Sequence, residues 1–172
     1  DTSQDVADTT LLAFKLAEDP RILLPVMVCM DGFIISHTSM EVELAQQEQV
    51  DRYLPDCHVP HHIDNARPAT MGGMTFPPET LAHRKELHEA MKRVPGVFEE
   101  HRSAFTREFG REMKGAITCY RTEDADTIFI TSGSISTTMK KVIDKRRERG
   151  YRVGMVRIKM FRPFPVEDIR KV

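Results

Sequence analysis

The chain has 172 residues, of which 40% are apolar and 30% charged, a composition typical of globular proteins. Its 25 basic and 26 acidic side chains give a formal net charge of −1, so overall charge favours neither nucleic acid nor an anionic membrane as a partner. No apolar run approaches the ~20 residues of a spanning helix, and the first residues lack a secretory pattern. We therefore expect a cytoplasmic protein that binds neither nucleic acid nor membrane.

The first twenty residues predict an amphipathic helix. Ala7, Leu11 and Phe14 recur at helical spacing, and Pro20 ends the pattern because proline cannot continue a helix.

The next segment predicts a buried strand and a turn. Residues 22–30 (ILLPVMVCM) are continuously apolar, which is typical of a strand buried in a parallel sheet, and Pro25 limits that strand to about residues 26–30. Ligands usually bind at the carboxyl end of such strands, where a carboxylate, a hydroxyl and an imidazole follow here. A simple Asp-Gly turn is the alternative. We name this candidate group, Asp31, Gly32, Ser36 and His37, the Asp31 loop.

Residues 40–78 lose any clear periodicity, and half of the ten prolines lie there, which predicts a long irregular connection. It carries the densest set of potential metal ligands, Cys57, His58, His61 and His62. A zinc site needs further ligands at suitable spacing, so we expect exposed side chains and no metal. We expect all three cysteines, Cys29, Cys57 and Cys119, to be reduced thiols.

Two helices are predicted after this connection. The first begins near Pro78 and is ended by Pro95 and Gly96, and the second runs from about residue 97 to 109 and closes at Gly110. Their apolar stripes are Leu87, Met91 and Val94 in the first helix, and Phe98, Phe105 and Phe109 in the second. We expect the phenylalanines to pack in a core and not to stack on bases.

The last part of the chain predicts a strand, a helix and a second strand. Residues 127–131 (TIFIT) predict a short buried strand, residues 135–149 a helix and residues 153–161 the second strand. The apolar face of the helix would be Ile135, Met139, Val142 and Ile143. Such a unit makes the two strands parallel, joined by a right-handed crossover. The basic run that begins at Lys140 is expected to be a solvated face.

The turn between that strand and helix is the second candidate site. Small residues with free backbone N–H groups at a helix N-terminus favour a phosphate or carboxylate. The turn lacks the glycines of a dinucleotide fingerprint and the lysine of a P-loop. In the alternative reading, Ser134 or Ser136 caps the helix and Gly133 permits the turn. We name this group, Ser132, Gly133, Ser134 and Ser136, the serine turn.

Three stretches, in this order, resemble the α-chain region of the 2-oxoacid:ferredoxin oxidoreductases, the pyruvate synthase family. They are residues 23–38 (LLPVMVCMDGFIISHT), 71–91 (MGGMTFPPETLAHRKELHEAM) and 127–165, which ends in RPFP. The resemblance covers nearly the whole chain. Its most specific part is DGF-x-x-SH followed by RPFP, since the third stretch also resembles the C-terminal domain of transketolase-like enzymes.

The resemblance implies an α/β fold with two domains. Residues 1–69 would be the C-terminal part of a parallel-sheet, thiamine-diphosphate-binding-type domain on the pyrimidine side, and residues 70–112 a helical connector. Residues 113–172 would begin a transketolase C-terminal-like βαβ domain. Because the chain starts without methionine and stops in a helix just begun, we expect a segment of a longer polypeptide.

The resemblance also implies an activity: oxidative decarboxylation of pyruvate or a related 2-oxoacid, with the acyl group passing to coenzyme A and electrons passing through iron–sulfur clusters to ferredoxin. Thiamine diphosphate with Mg²⁺ would be shared with a partner chain, and the clusters would lie in other subunits or domains. The chain lacks GDG…N and C-x-x-C-x-x-C motifs, so we assign it no catalytic or metal residue and expect no activity from it alone. The Asp31 loop would bind the cofactor or face the subunit interface.

Two other functions stay open. One is another transketolase-superfamily subunit, such as a 2-oxoacid dehydrogenase β-subunit or a lyase. The other is a non-catalytic α/β domain that binds a phosphate ligand or a protein through the serine turn.

Overall fold

The computed structural model describes residues 2–58 and 62–172 and shows a mixed α/β fold. Its elements in chain order are α1 (Ser3–Ala17), α2 (Ile34–His37), α3 (Gln47–Tyr53), α4 (Pro77–Phe109), β1 (Ile117–Tyr120), β2 (Thr127–Ser132), α5 (Ile135–Arg147), β3 (Val153–Ile158) and α6 (Val166–Arg170). The three strands form one sheet in the order β1-β3-β2. In the described part of the chain, no helix has both the length and the apolar character needed to cross a bilayer.

Helix α1 confirms the first predicted helix but buries a different stripe. The Thr2 hydroxyl accepts a hydrogen bond from the Asp5 N–H (3.1 Å) and so caps the N-terminus. Leu12 and Leu16 are buried, whereas Phe14 is 55% exposed. The core therefore meets the helix on the face of Leu12 and Leu16, which spacing alone did not single out.

Helix α4 corrects the prediction of two helices, because Pro77–Phe109 is one helix of 33 residues with Pro95 inside it. Proline lacks an N–H, which costs a helix interior about 3 kcal/mol. Val94 and Phe98 lie on either side of Pro95 and are both buried in the same core, so packing outweighs that cost. Gly110 ends the helix in a left-handed conformation (φ 67°), as predicted.

Helix α3 lies inside the segment predicted to be irregular, which is a second correction. Its sequence, QEQVDRY, has little apolar periodicity, but Tyr53 at its end is only 3% exposed. The Tyr53 ring packs edge-on against Phe105 at 5.5 Å, and its hydroxyl donates to the His101 carbonyl (3.1 Å). Phe98, Phe105 and Phe109 are buried in this helical core, which confirms that they pack.

Residues 26–30 form no strand, contrary to the prediction of a strand buried on both faces. Met27 is 85% exposed and Met30 57% exposed, and the sheet made by β1–β3 does not include the segment. A buried strand needs neighbours that bond its N–H and C=O groups, and no described strand lies beside this one. In the described part of the chain, residues 26–30 therefore have no regular secondary structure and are exposed.

Strands β2 and β3 are parallel, as predicted, with Thr127 opposite Val153 and Ser132 opposite Ile158. β3 is buried, since Met155 and Val156 are each 1% exposed. The prediction that β2 is buried was wrong, because it forms an edge of the sheet and its Ile130 is 57% exposed.

Strand β1 was not predicted, and it pairs antiparallel with β3 on the side away from β2. The chain passes very close to β3 just after β1: a Cβ on Gly154 would overlap the Arg121 carbonyl and lie 3.0 Å from Thr122 Cα. Of the predicted apolar face of α5, Ile143 is fully buried, but Ile135 and Val142 are 59% and 45% exposed.

Candidate functional site

The Asp31 loop is organised by the carboxylate of Asp31. This carboxylate accepts hydrogen bonds from the N–H groups of Ile34 (2.9 Å) and Ile35 (3.0 Å), which begin the short helix α2. Those N–H groups have no partner within the helix, so an aspartate placed just before them fixes where the helix starts.

The other polar side chains of this loop bond to each other. Ser36 Oγ and His37 Nδ1 are 2.7 Å apart, and the His37 ring stacks on Phe33 with centroids 5.6 Å apart and an interplanar angle of 19°. Phe33 is 77% exposed. The imidazole is thus held in one orientation at the surface of the protein.

The serine turn closes β2 and opens α5. Gly133 has φ 69°, a left-handed conformation that favours glycine, which confirms its predicted role in the turn. Ser136 is fully buried, and its hydroxyl lies 3.0 Å from that of Thr131. Ser134 occupies the N-cap position but makes no side-chain cap hydrogen bond. Ser134 is thus the N-cap residue, as one of the two expectations had it, but it caps the helix without a side-chain hydrogen bond, and the Ser136 hydroxyl bonds to Thr131 instead.

The structure places the Ser134 hydroxyl beside the Asp31 carboxylate, close enough to help lower the pKa of that carboxyl group. Desolvation would raise the pKa of Asp31, but the N–H groups of Ile35 and Ile34 and the Ser134 hydroxyl outweigh it and hold that pKa below its usual value. The carboxylate stays ionised near the N-terminus of α5, where the helix dipole favours negative charge. The two turns form one polar site.

The potential metal ligands of the irregular connection lie at the surface wherever the structure describes them. Cys57, His58 and His62 are exposed, and His61 lies outside the described residues. Within residues 2–58 and 62–172, no three histidine, cysteine or acidic side chains are placed to hold a metal ion. Partial desolvation by neighbouring atoms and the nearby Glu18 carboxylate raise the pKa of the Cys57 thiol, which therefore stays protonated near neutral pH. Cys29, Cys57 and Cys119 are all free thiols.

A group of charges that was not predicted ties α1 to β3 and to the segment after α4. Arg111 Nη2 lies 2.8 Å from Asp8 Oδ1, and Arg157 Nη1 lies 3.4 Å from Asp5 Oδ2. Lys159 lies beside them, and burial lowers its pKa to about 8 although the Asp5 carboxylate opposes that shift. The partners of the first ion pair are 103 positions apart in the sequence, and those of the second are 152 positions apart. No local sequence pattern could therefore predict either pair.

Two family models match the chain. Residues 1–103 match the thiamine-diphosphate-binding domain of pyruvate flavodoxin/ferredoxin oxidoreductase, and residues 125–172 match core domain II of pyruvate:ferredoxin oxidoreductase. Both candidate groups lie in matched segments, with the Asp31 loop in the first and the serine turn in the second. The approach of Ser134 to Asp31 therefore brings the two matched regions together.

Curated relatives align over nearly the whole chain. The pyruvate synthase subunit PorA of Pyrococcus furiosus is 46% identical over 100% of this chain and 43% of its own length. The PorA subunit of Thermotoga maritima is 38% identical over 100% of this chain and 44% of its own length. The alpha subunit of an NADH-dependent phenylglyoxylate dehydrogenase from Aromatoleum evansii is 36% identical over 98% of this chain and 42% of its own length.

The chain spans less than half of the length of each of these three relatives. The match to the thiamine-diphosphate-binding model covers residues 1–103 of the 172, which is more than half of the chain. The resemblance found in the sequence is confirmed, and the chain belongs to the pyruvate flavodoxin/ferredoxin oxidoreductase family.

Proposed function

We propose that this chain is part of the alpha subunit of a thiamine-diphosphate-dependent 2-oxoacid:ferredoxin oxidoreductase. The observation that carries the proposal is 46% identity, over the whole of this chain, to a subunit named pyruvate synthase PorA. In the proposed reaction the 2-oxoacid loses CO₂, its acyl group forms a thioester with coenzyme A, and two electrons pass through iron–sulfur clusters in other subunits or domains to ferredoxin. The proposal places the enzyme in the cytoplasm, as an assembly with its other subunits.

The proposal keeps the division of the chain made from the sequence. Residues 1–69 would be the C-terminal part of the pyrimidine-side domain, residues 70–112 a helical connector and residues 113–172 the start of a transketolase C-terminal-like domain. Helix α4 lies wholly within the proposed connector, which supports this division. The parallel pair β2 and β3 with α5 between them supports a βαβ unit in the last part.

Thiamine diphosphate has two ends with different chemistry, and the described residues suit only one of them. Its rings need apolar contacts, and exposed apolar side chains occur at Met27, Met30 and Phe33. Its diphosphate needs a metal and oxygen ligands, and no three metal ligands are assembled in the described part of this chain. We therefore propose that the diphosphate and Mg²⁺ are held by a partner chain. When bound, the cofactor stabilises the carbanion formed as CO₂ leaves.

In this proposal the Asp31 loop and the serine turn keep the two matched regions in register beside the cofactor. Asp31, Gly32, Ser36 and His37 would bind cofactor or face the subunit interface. Misplacing reacting groups by about 1 Å costs on the order of a hundredfold in rate, so a fixed loop at this boundary has catalytic value. An external anion at Ser132, Gly133, Ser134 and Ser136 stays a prediction, although the Asp31 carboxylate already brings a negative charge to Ser134.

The test is turnover of the complete enzyme with its partner subunits. We expect coenzyme A-dependent reduction of ferredoxin by pyruvate that is lost when thiamine diphosphate is removed. The relative named NADH-dependent phenylglyoxylate dehydrogenase makes phenylglyoxylate with NAD⁺ the matched comparison for substrate and acceptor. Absence of thiamine-dependent turnover with every 2-oxoacid and acceptor would reject the proposal.

A further inference from the structure

The imidazole of His37 is held at two places on its ring. Nδ1 lies 2.7 Å from the hydroxyl of Ser36, and the ring face stacks on Phe33 at 5.6 Å. An exposed histidine ordinarily samples several rotamers, and restricting it costs free energy. In this loop the contacts with Ser36 and Phe33 restrict the ring before any ligand binds. The ring is therefore already oriented for a further contact.

The hydrogen bond at Nδ1 determines what the other ring nitrogen offers. When the Ser36 hydroxyl donates to Nδ1, the neutral ring carries its proton on Nε2. When the ring is protonated, Nε2 carries a proton as well. Only the neutral form with its proton on Nδ1 would leave Nε2 bare. Two of the three forms of His37 therefore present an Nε2–H donor.

The Nε2–H donor of His37 lies close in sequence to the Asp31 carboxylate, which already accepts hydrogen bonds from other groups. Asp31 accepts hydrogen bonds from the N–H groups of Ile34 and Ile35, and the Ser134 hydroxyl lies beside it. Among the described residues, the side-chain hydrogen bond of His37 is the one to Ser36 at Nδ1, so its Nε2 has no acceptor there. A positioned N–H donor beside an exposed aromatic ring suits an anionic oxygen of a ligand.

We propose that His37 is a binding residue whose Nε2–H donates to an anionic oxygen of a small ligand of the complete enzyme, either the carboxylate of the 2-oxoacid or a phosphate of coenzyme A. Ser36 is a positioning residue that acts through the ring. This inference rests on the proposed function and adds to it the atom and the ligand chemistry at the Asp31 loop.

The test uses three variants of the complete enzyme with its subunits: His37→Ala, His37→Gln and His37→Asn. The glutamine amide nitrogen reaches about as far as Nε2, whereas the asparagine amide reaches only about as far as Nδ1. His88→Gln is the matched control, because His88 is an exposed histidine on α4. The measurements are KM and kcat for pyruvate and for coenzyme A, the shift in unfolding temperature caused by each ligand alone, and the size of the assembly.

We expect His37→Ala and His37→Asn to raise the KM of one ligand about tenfold or more, since the hydrogen bond is made to a charged group. In the same variants kcat should change less than about twofold, and that ligand should no longer raise the unfolding temperature. His37→Gln should keep both properties within about threefold of the wild type. An effect confined to pyruvate identifies the carboxylate, and one confined to coenzyme A identifies the phosphate.

Three results would overturn the inference while the wild-type enzyme is active: unchanged KM values in His37→Ala, failure of His37→Gln to restore binding, or dissociation of the assembly in His37→Ala, which would assign the residue to a subunit contact. An inactive wild-type enzyme would instead reject the proposed function, and the inference with it.

Discussion

Residues 26–30 and strand β2 are two apolar segments, each followed by a turn that belongs to the candidate site. Both expose large side chains, with Met27 at 85% and Ile130 at 57%. β2 is nevertheless a strand, because it pairs along its length with β3, whereas residues 26–30 pair with no described strand. The difference lies in backbone pairing and not in side-chain burial. An apolar run becomes a strand only where a neighbour bonds its backbone.

The largest expected effect is on amide exchange. The amide of Val156 in the central strand should exchange with solvent at least about 10³-fold more slowly than that of Met27, because buried paired amides exchange only on opening of the structure. Hydrogen exchange followed by mass spectrometry measures both segments in one experiment. Equal rates would contradict the assignment of residues 26–30 as unpaired.

Strand β3, with which β2 pairs, passes close to the Arg121 carbonyl at Gly154. Gly154→Ala should destabilise the protein by about 2 kcal/mol, since the added Cβ overlaps the Arg121 carbonyl and forces the backbone apart. Chemical denaturation measures the loss. Gly73→Ala is the control, because a Cβ there meets no atom within 4 Å, and its stability should stay within about 0.5 kcal/mol of the wild type.

The two turns can be compared directly by substitution. Asp31→Ala removes the acceptor of two backbone hydrogen bonds and the charge beside Ser134, and should lower turnover of the complete enzyme about tenfold. Ser136→Ala removes one bond, to Thr131, and should lower it less. Steady-state turnover and the size of the assembly are the measurements. Equal effects of the two substitutions would show that the Asp31 carboxylate does not organise the site.

Just before residues 22–30, Asp19 pairs with His101, and this pair makes the stability of the protein depend on pH. Hydrogen bonds from Arg21 hold the pKa of Asp19 well below its usual range although burial opposes them, and His101 Nε2 lies 2.8 Å from Asp19 Oδ2. Burial lowers the pKa of His101 below 6.5 despite that carboxylate. The unfolded chain therefore takes up this proton more readily than the folded one, and stability falls as the pH drops through about 6.5.

Replacing the histidine isolates its share of that loss. In His101→Gln the decline in unfolding free energy between about pH 7.5 and pH 5.5 should become shallower, because the glutamine side chain does not titrate. Denaturation midpoints across this range measure it, with His83→Gln, an exposed histidine, as the control. An unchanged slope would place the pH dependence elsewhere.

The smallest expected effect is at the exposed run itself. Met27→Ser should change the unfolding free energy of this chain by less than about 0.5 kcal/mol, because the side chain is 85% exposed. Leu12→Ser, at a side chain that is 2% exposed in the helical core, is the contrasting variant and should cost several kcal/mol. A large loss in Met27→Ser would mean that the run is buried after all.

Local patterns predicted the elements that local chemistry dictates. The helix before Pro20, the closure of α4 at Gly110 and the parallel pair of β2 and β3 were all readable from the sequence. The patterns failed where distant packing decides. Pro95 predicted a break that the buried Val94 and Phe98 override, and α3 forms although its main core contact is the single aromatic ring of Tyr53.

The candidate site was predicted in two halves. Asp31 and His37 were identified as chemical groups after an apolar run, and Gly133 as the residue that permits the serine turn. That Ser134 lies beside Asp31 had no signal in the sequence, because the two residues are about a hundred positions apart. The charges around Lys159 were missed for the same reason.

The sequence by itself determined the family, helices α1 and α5 and the parallel pair of strands, because these follow from motifs and periodicities within short windows of the chain. Only the tertiary structure decided which apolar run becomes a strand, whether α4 continues through Pro95 and which polar groups meet. Each of these depends on atoms far away in the sequence. Backbone pairing, core packing and the Asp31–Ser134 contact exist only after the chain has folded.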